Sequence, residues 1–259
     1  MKYDSRIAPG EPFDDGCNKH LRGIDAASDP HFASAGIGEK LDLLDALAQV
    51  IEYGYAAVEQ SATVFGRRNP LSVPIEQARP VTSSGARGML RVGFGIDPQH
   101  ADYEPLKARF LDLYGARVCI GTTLFAGIAD LLTALEERAI AWGVVTNKAE
   151  RFTLPLLEAL QLRARASCVV GGDTTTRAKP YPEPLLHAAR AMSLEPERCL
   201  YVGDDLRDVL AARAAGMPVI AAAYGYLGDQ GDPHAWGADA VIDHPLEVLN
   251  HLRQLPVMG

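Results

Sequence analysis

Short apolar runs alternate with helical stretches through the second half of the chain, and this alternation limits the fold more than any other feature. From about Ala126 onward, stretches with apolar residues at helical spacing are followed by short apolar runs. Such alternation builds right-handed βαβ crossovers and a mostly parallel sheet covered by helices on both faces. We therefore predict an α/β domain with a doubly wound parallel sheet. The predicted strands are Ala141–Thr146, Ser167–Val170, Cys199–Val202, Val219–Ala223 and Ala240–Asp243, and the predicted helices include Arg151–Leu160, Pro184–Met192 and Leu206–Ala215.

The part of the chain before this domain divides into two regions. Residues 75–122 show helical periodicity, as in Leu106–Leu113, with little strand signal, so we predict a small helical domain there. Residues 1–74 contain many turn-forming residues, an amphipathic stretch at Leu41–Val50 and an ambiguous stretch at Tyr53–Phe65. The predicted organisation is therefore an N-terminal region of unclear structure (1–74), a helical domain (75–122) and an α/β domain (123–259).

Charge and composition exclude several classes of protein. The chain of 259 residues has 25 Lys and Arg against 33 Asp and Glu, a formal net charge of −8. It shows no basic stripe that could neutralise phosphates, so nucleic acid is a poor partner. No apolar run approaches the ~20 residues of a membrane span. The four cysteines are scattered without CxxC spacing, which predicts buried thiols and a cytoplasmic protein.

A cluster of acids follows the predicted strand Cys199–Val202. Gly203 is followed by Asp204 and Asp205, and Asp208 comes one helical turn after Asp204. Ligands of α/β proteins bind outside the carboxyl ends of parallel strands. Two carboxylates there would suit Mg²⁺, which takes a few carboxylates, waters and phosphate oxygens. The alternative is that these acids cap the following helix and face its macrodipole.

Two further loops carry groups that suit an anion. Thr146, Asn147 and Lys148 follow the predicted strand Ala141–Thr146 with a hydroxyl, an amide and a cation, which can bind phosphate oxygens or can cap the next helix. Lys179 lies in a loop stiffened by prolines. An ammonium held near carboxylates would offset their repulsion and neutralise a transferring phosphoryl group, whereas a solvated lysine is the alternative.

The order and content of these three loops resemble the haloacid dehalogenase superfamily of phosphatases, and within it the phosphoglycolate phosphatase branch. Val144–Lys148 reads VVTNK, Lys179–Leu185 fits KPxPxxL and Gly203–Asp208 fits GDxxxD. The resemblance covers about residues 74–255. It implies an α/β core with a small helical cap, and it implies a phosphomonoester hydrolase that forms an aspartyl-phosphate intermediate with Mg²⁺.

The resemblance also implies roles for individual residues. Thr146 would hold the phosphoryl oxygens with Asn147 beside it, and Lys179 would bridge the phosphoryl group and the nucleophilic carboxylate. Arg87, in the predicted cap, is a candidate partner for a substrate carboxylate. Small phosphorylated metabolites are therefore the expected ligands.

The metal roles implied by the resemblance fall on the acid cluster. Asp204 would bind Mg²⁺ directly. Asp208 would bind the metal through water or would orient Lys179.

One part of the family pattern is not recognisable in residues 1–74. An apolar strand ending in DxDGT should precede the cap, but Gly38–Ala46 contains acids without a DxD or a β-rich run. The most similar stretch of sequence lies further upstream, where Asp14 and Asp15 are adjacent. Neighbouring residues of a strand point to opposite faces, so Asp14 and Asp15 could not both contact one phosphoryl group. Asp14 is therefore a weak candidate for the nucleophile. We therefore expect weak or absent hydrolysis of 2-phosphoglycolate.

Three functions stay open at this point. The chain is an active phosphatase with an unrecognised nucleophile, a non-catalytic relative that binds phosphorylated metabolites, or an unrelated α/β nucleotide binder. The third is weakened because the sequence has neither a GxGxxG nor a GxxxxGK[ST] loop.

Overall fold

A computed structural model describes residues 75–120, 122–228 and 231–252. The predictions made for Leu41–Val50, Tyr53–Phe65 and Asp14 lie outside these residues. The division of the chain at residues 74 and 122 stays a prediction.

Residues 75–120 contain helices and no strand, which agrees with the helical periodicity of this region. The helices pack around the buried side chains of Met89, Leu90 and Phe110. None of the helices in the described residues is long and apolar enough to cross a membrane. The elements are α1 (Ile75–Ala78), a 3₁₀ helix (Arg79–Ser84), α2 (Gly85–Phe94) and α3 (Tyr103–Gly115).

The predicted alternation of strands and helices is present after residue 123. One detail differs after the final strand, where the spacing of Leu246–Leu252 predicts a helix. This stretch is a 3₁₀ turn followed by a short helix. The α/β fold class is therefore confirmed. The elements are α4 (Ile128–Glu137), β1 (Gly143–Val145), α5 (Glu150–Ala159), β2 (Cys168–Val170), α6 (Glu183–Ala191), β3 (Tyr201–Gly203), α7 (Leu206–Ala215), β4 (Val219–Ala222), β5 (Ala240–Ile242) and α8 (Val248–His251).

The described strands form two parallel ladders rather than the one continuous sheet expected from the sequence. In the first ladder β1 pairs with β2, with Val144 opposite Val169. In the second ladder β4 lies between β3 and β5. No strand among the described residues lies between β1 and β3. Local periodicity predicts strands but not which strands become neighbours, and this is why the division was missed.

The two ladders nevertheless share the same two hydrophobic layers. Val144 of β1 and Val202 of β3 belong to one core, and Val145 and Tyr201 belong to the other. Because neighbouring strand residues point to opposite faces, both ladders are covered on both faces, which is the doubly wound arrangement. The first core contains Leu131, Leu135, Leu157 and Val248 from α4, α5 and α8, and the second contains Leu185, Ala189, Val209 and Ala212 from α6 and α7.

A cavity of about 400 Å³ lies between β1 and β3 and is lined by residues of both strands. Cys168 and Cys199 also line it, and both are free thiols. Cys168 and Cys199 are half-buried rather than buried, and Cys119 is disulfide-bonded, so the prediction of buried thiols was wrong for these residues. Sequence spacing does not reveal which sulfur atoms a fold brings together.

Candidate active site

Lys179 connects the ends of the two ladders. Its ammonium lies 2.6 Å from Oδ1 of Asp208, at the start of α7. It also donates to the carbonyl of Val145 at the end of β1 (3.1 Å) and to the hydroxyl of Tyr201 on β3 (2.9 Å). The side chains of Lys179 and Asp208 are 9% and 7% exposed, so this is a buried ion pair rather than a solvated lysine.

Asn147 holds the backbone of Lys179 in place. Nδ2 of Asn147 donates to the carbonyl of Lys179 (2.9 Å), and Oδ1 of Asn147 accepts from the backbone N–H of Lys179 (3.0 Å). Both polar atoms of the amide thus bind one peptide segment. The second N–H of Nδ2 is not used in these two bonds, so the amide can still donate to a phosphate, as predicted.

Thr146 continues the first ladder beyond its last strand residue. Its N–H donates to the carbonyl of Val170 (2.9 Å), and its hydroxyl oxygen accepts from the N–H of Lys148 (3.1 Å). The hydroxyl can still donate to an anion while it accepts this bond, because a threonine hydroxyl has one proton and two lone pairs. Thr146 comes directly after Val145, whose carbonyl accepts a hydrogen bond from Lys179. Thr146 and the Lys179 ammonium therefore both lie at the end of β1.

The three acids after β3 have different roles, and the two predicted alternatives apply to different residues. Asp205 is the N-cap of α7 and accepts from the N–H of Arg207 (2.9 Å). Asp208 completes a capping box by accepting from the N–H of Asp205 (3.2 Å), and it also pairs with Lys179. Asp204 has no part in this cap, which leaves it as the acid best placed for a ligand.

Asp204 lies in an environment that disfavours its charge. Burial raises the pKa of its carboxyl, and the negative charges of Asp208 and Asp205 add to this effect, while a hydrogen bond from the N–H of Tyr226 (2.7 Å) opposes it. Gly225 makes room for this side chain, because a Cβ at position 225 would lie 2.3 Å from atoms of Asp204. A buried carboxylate beside two other acids is a suitable ligand for a divalent cation.

The described residues fit Mg²⁺ in part. Asp204 offers one hard oxygen ligand, and Asp208 lies close enough to affect its pKa. Within residues 75–252 as described, no group of three or more His, Cys, Asp or Glu residues could hold a metal ion. Mg²⁺ commonly binds through one or two carboxylates, several waters and a phosphate, so Asp204 with a phosphorylated ligand meets this requirement.

The helical region contacts the acid end of the site through Arg207. The guanidinium binds both carboxylate oxygens of Asp205 (2.8 Å each) and donates to the carbonyl of Ser83 (2.8 Å). Burial alone would raise the pKa of the Asp205 carboxyl, but the hydrogen bonds from Arg207 outweigh this effect and hold the pKa below its ordinary value. Arg87 lies four residues after Ser83 with an exposed side chain, and the described hydrogen bonds and ion pairs join it to none of the other predicted site residues.

A second contact between the helical region and the core forms beside Thr146. The ammonium of Lys148 donates to the hydroxyl of Tyr114 and lies 4.5 Å from the centre of its ring. The ring of Tyr114 packs edge-on against Phe152, with centroids 5.3 Å apart. Burial lowers the pKa of Lys148 to about 8. Lys148 therefore joins α3 to the core instead of facing the site with Thr146.

Comparison with known proteins identifies the class. The family of haloacid dehalogenase-like hydrolases matches residues 57–222, and the chain belongs to this family. An N-acetylmuramic acid 6-phosphate phosphatase of Pseudomonas aeruginosa is 41% identical over 177 residues, covering 68% of this chain and 78% of that protein. A phosphoglycolate phosphatase of Xanthomonas campestris pv. campestris is 42% identical over 195 residues, covering 73% and 87%. The resemblance predicted from the three loops is thus confirmed.

Solved structures support the fold. A crystal structure of a predicted phosphoglycolate phosphatase from Haemophilus somnus superposes with a TM-score of 0.60. The two chains are 22% identical, and the match covers 83% of this chain and 90% of the other. At this identity the likeness establishes a common fold.

Several residues of the site were not predicted as such. Tyr201 contacts Lys179, while Gly225 and the N–H of Tyr226 lie against Asp204. Arg207 contacts Asp205, the N-cap of α7. Their contacts depend on side chains that meet only in the folded chain, so no local pattern could assign them.

Proposed function

We propose that this protein is a Mg²⁺-dependent phosphomonoester hydrolase that acts on small phosphorylated metabolites. The observation that supports this most strongly is the position of Lys179, whose buried ammonium joins the end of β1 to Asp208. A cation there can neutralise the charge that a phosphoryl group carries during transfer. The named activities of the curated relatives agree with it.

The protein's own residues would bind and orient the phosphoryl group. The Thr146 hydroxyl would donate to one phosphoryl oxygen, and Lys179 would donate to another. Asn147 would border the group and keep Lys179 in position through the two bonds to its backbone. Arg87 stays a proposed partner for a carboxylate of the substrate, which would require the substrate to reach α2.

Asp204 would be the direct ligand of Mg²⁺ in this proposal. Asp208 already orients Lys179, and its contribution to the metal would run through water. The bound cation would supply charge neutralisation for the phosphoryl oxygens and would relieve the repulsion between Asp204 and its acidic neighbours.

The reaction also needs a nucleophile. A carboxylate oxygen would attack phosphorus, the bond from phosphorus to the ester oxygen would break, and water would later hydrolyse the acyl phosphate. Asp208 is paired with Lys179 and Asp204 is assigned to the metal, so this carboxylate has to come from residues 1–74, where Asp14 is a weak candidate. Weak or absent hydrolysis therefore remains our prediction, and a non-catalytic binder of phosphorylated metabolites is the alternative.

Two substrates are proposed. 2-Phosphoglycolate follows from the motif resemblance and from relatives named phosphoglycolate phosphatase. N-Acetylmuramic acid 6-phosphate is a second candidate because relatives of similar identity carry that name. The proposal also includes a cytoplasmic location, from the use of cysteine, and no role for nucleic acid, from the absence of a basic stripe.

A phosphate-release assay with Mg²⁺ tests the proposal. We expect any release from the two esters to be weak, below the ordinary range of about 1 to 10³ per second, and to fall further in the Asp204→Asn variant. The specificity constants for the two esters would identify the substrate. Binding of an ester without any release would favour the non-catalytic alternative, and neither binding nor release would contradict both.

A further inference from the structure

The ammonium of Lys179 already uses all of its hydrogen-bond donors. A lysine ammonium has three N–H groups and no acceptor. Three protein acceptors lie within reach, namely Oδ1 of Asp208 (2.6 Å), the hydroxyl of Tyr201 (2.9 Å) and the carbonyl of Val145 (3.1 Å). Binding an anion through Lys179 therefore requires one of these three bonds to be released.

The hydroxyl of Tyr201 has two acceptors for its single proton. It lies 3.1 Å from the carbonyl of Val145 and 3.3 Å from Oδ1 of Asp208. Burial and the nearby acids raise the pKa of Tyr201 well above its ordinary value, so the hydroxyl keeps its proton. The proton can point to either acceptor while a lone pair still accepts from Lys179.

Because of these two facts, the bond from the Lys179 ammonium to the Val145 carbonyl is the one that can be released. When Lys179 turns one N–H away from the Val145 carbonyl, the Tyr201 proton can turn to that carbonyl and keep it paired. Asp208 meanwhile retains Lys179 itself and the N–H of Asp205. Release of the bond to Asp208 would instead separate a buried ion pair, which is far less favourable.

We propose that Tyr201 is a positioning residue whose hydroxyl works as a hydrogen-bond switch for Lys179. Without a ligand, Lys179 donates to Val145 and the Tyr201 proton faces Asp208. With an anionic ligand, Lys179 donates to the anion and the Tyr201 proton faces Val145. The liganded state rests on the proposed function, whereas the position of the ammonium in the free protein does not.

The variant Tyr201→Phe tests the switch because it keeps the ring and removes only the hydroxyl. Tyr181→Phe is the matched control, since Tyr181 is exposed and lies in the same loop as Lys179. Two properties would be measured in the full chain. The first is the affinity for inorganic phosphate with Mg²⁺, by calorimetry. The second is hydrogen exchange of the Lys179 ammonium, by NMR of ¹⁵N-lysine protein, which has six lysines and in which Lys179→Arg assigns the signal.

We expect Tyr201→Phe to weaken phosphate binding roughly tenfold, the effect of losing one hydrogen bond to a charged group, and to speed exchange of the Lys179 ammonium. Tyr181→Phe should change neither. Unchanged ammonium exchange in Tyr201→Phe would overturn the positioning role. Faster exchange with unchanged phosphate affinity would overturn the switch. If the natural protein binds no phosphate, the proposed function fails, and ammonium exchange alone then decides the role of Tyr201.

Discussion

The carboxyl ends of β1 and β3 differ in charge, although they belong to the same layer of the fold. After β1 come a hydroxyl, an amide and a buried lysine, at Thr146, Asn147 and Lys148. After β3 come two acids and then a third at Asp208. In our proposal neither end alone would bind a phosphate with a metal, because the first offers no carboxylate to the metal and the second would repel anions. Lys179 contacts both ends, and we propose that it makes them one site.

The helical region is attached to each end in a different way. At the β1 end, the ring of Tyr114 packs on the ammonium of Lys148. At the β3 end, a backbone carbonyl of Ser83 accepts from Arg207, which is itself paired with Asp205. One attachment thus depends on a buried cation and an aromatic ring, and the other on a charge pair. The two ends should therefore respond differently to metal, to pH and to substitution.

The largest difference should appear with Mg²⁺. Asp204→Asn removes a charged direct ligand of the proposed metal site. Loss of an outer-shell partner already lowers metal affinity by up to roughly 100-fold, so we expect the affinity for Mg²⁺ with phosphate to fall by more than that. In the absence of metal the same variant should melt at a higher temperature, because burial raises the pKa of Asp204 and neutralisation removes that cost. Calorimetry and thermal melts measure the two effects. Equal Mg²⁺ affinities would contradict the assignment of the metal to the β3 end.

The β1 end should respond to alkaline pH. The pKa of Lys148 is about 8 in the folded chain, because burial lowers it from the ordinary value of 10.5. Between these values the unfolded chain binds more protons, so the free energy of unfolding should rise with pH, by on the order of 3 kcal/mol in all. The gain should be absent below about pH 8, where Lys148 is charged in both states.

Two variants check this pH dependence. Lys148→Met should lose the rise between about pH 8 and 10 in denaturant unfolding. Lys107→Met is the control, because Lys107 also lies over a tyrosine ring, 5.8 Å from its centre, but is paired with Glu104 on the surface. Parallel stability profiles for the natural protein and Lys148→Met would contradict the attachment through a buried cation.

The β3 end should also be sensitive to added volume. A Cβ at Gly203 would lie 2.4 Å from Cβ of Asp208, and a Cβ at Gly225 would lie 2.3 Å from Cβ of Asp204. We expect Gly203→Ala and Gly225→Ala each to destabilise the protein by about 1–3 kcal/mol through overpacking. Gly225→Ala should weaken Mg²⁺ binding, whereas Gly203→Ala should disturb the pair of Asp208 with Lys179. Native stability in both variants, by urea unfolding, would show that these acids have room to move.

The smallest effect should come from the amide that joins the β1 end to the backbone of Lys179. Asn147→Ala removes two hydrogen bonds to the backbone of Lys179 at an exposed position. We expect a loss of about 1 kcal/mol in the free energy of unfolding and faster amide exchange at Lys179. Unchanged exchange at Lys179 would mean that the prolines alone fix this loop.

Local patterns in the sequence predicted much of this arrangement. Helix α7 begins and ends where the spacing of Leu206–Ala215 predicted it, because the acids that cap it and the glycine that follows it are local signals. The sequence also predicted that the ammonium of Lys179 lies near carboxylates and offsets their repulsion. It could not predict that Tyr201 lies between Lys179 and Val145, since that contact joins residues 56 positions apart.

The division into two ladders was missed for a related reason. A parallel strand finds its neighbour through the whole fold, and periodicity records only which residues face the core. The roles of the three acids after β3 were also left open, because they depend on contacts formed only in the folded chain. Asp205 caps the helix by accepting from the N–H of Arg207, and Asp204 lies outside the cap, against the backbone of Gly225.

The most direct test of the account is binding of 2-phosphoglycolate, with Mg²⁺ present, to the natural protein and to Lys179→Met. The measurement is calorimetric, so it does not depend on turnover, and circular dichroism would verify that the variant is folded. The Lys179 ammonium is the cation that contacts both ladder ends in this account. We therefore predict clear binding by the natural protein, a loss of at least roughly tenfold in Lys179→Met, and no change in Lys107→Met. Equal binding by the natural protein and Lys179→Met would contradict the claim that the two ends form one phosphate site.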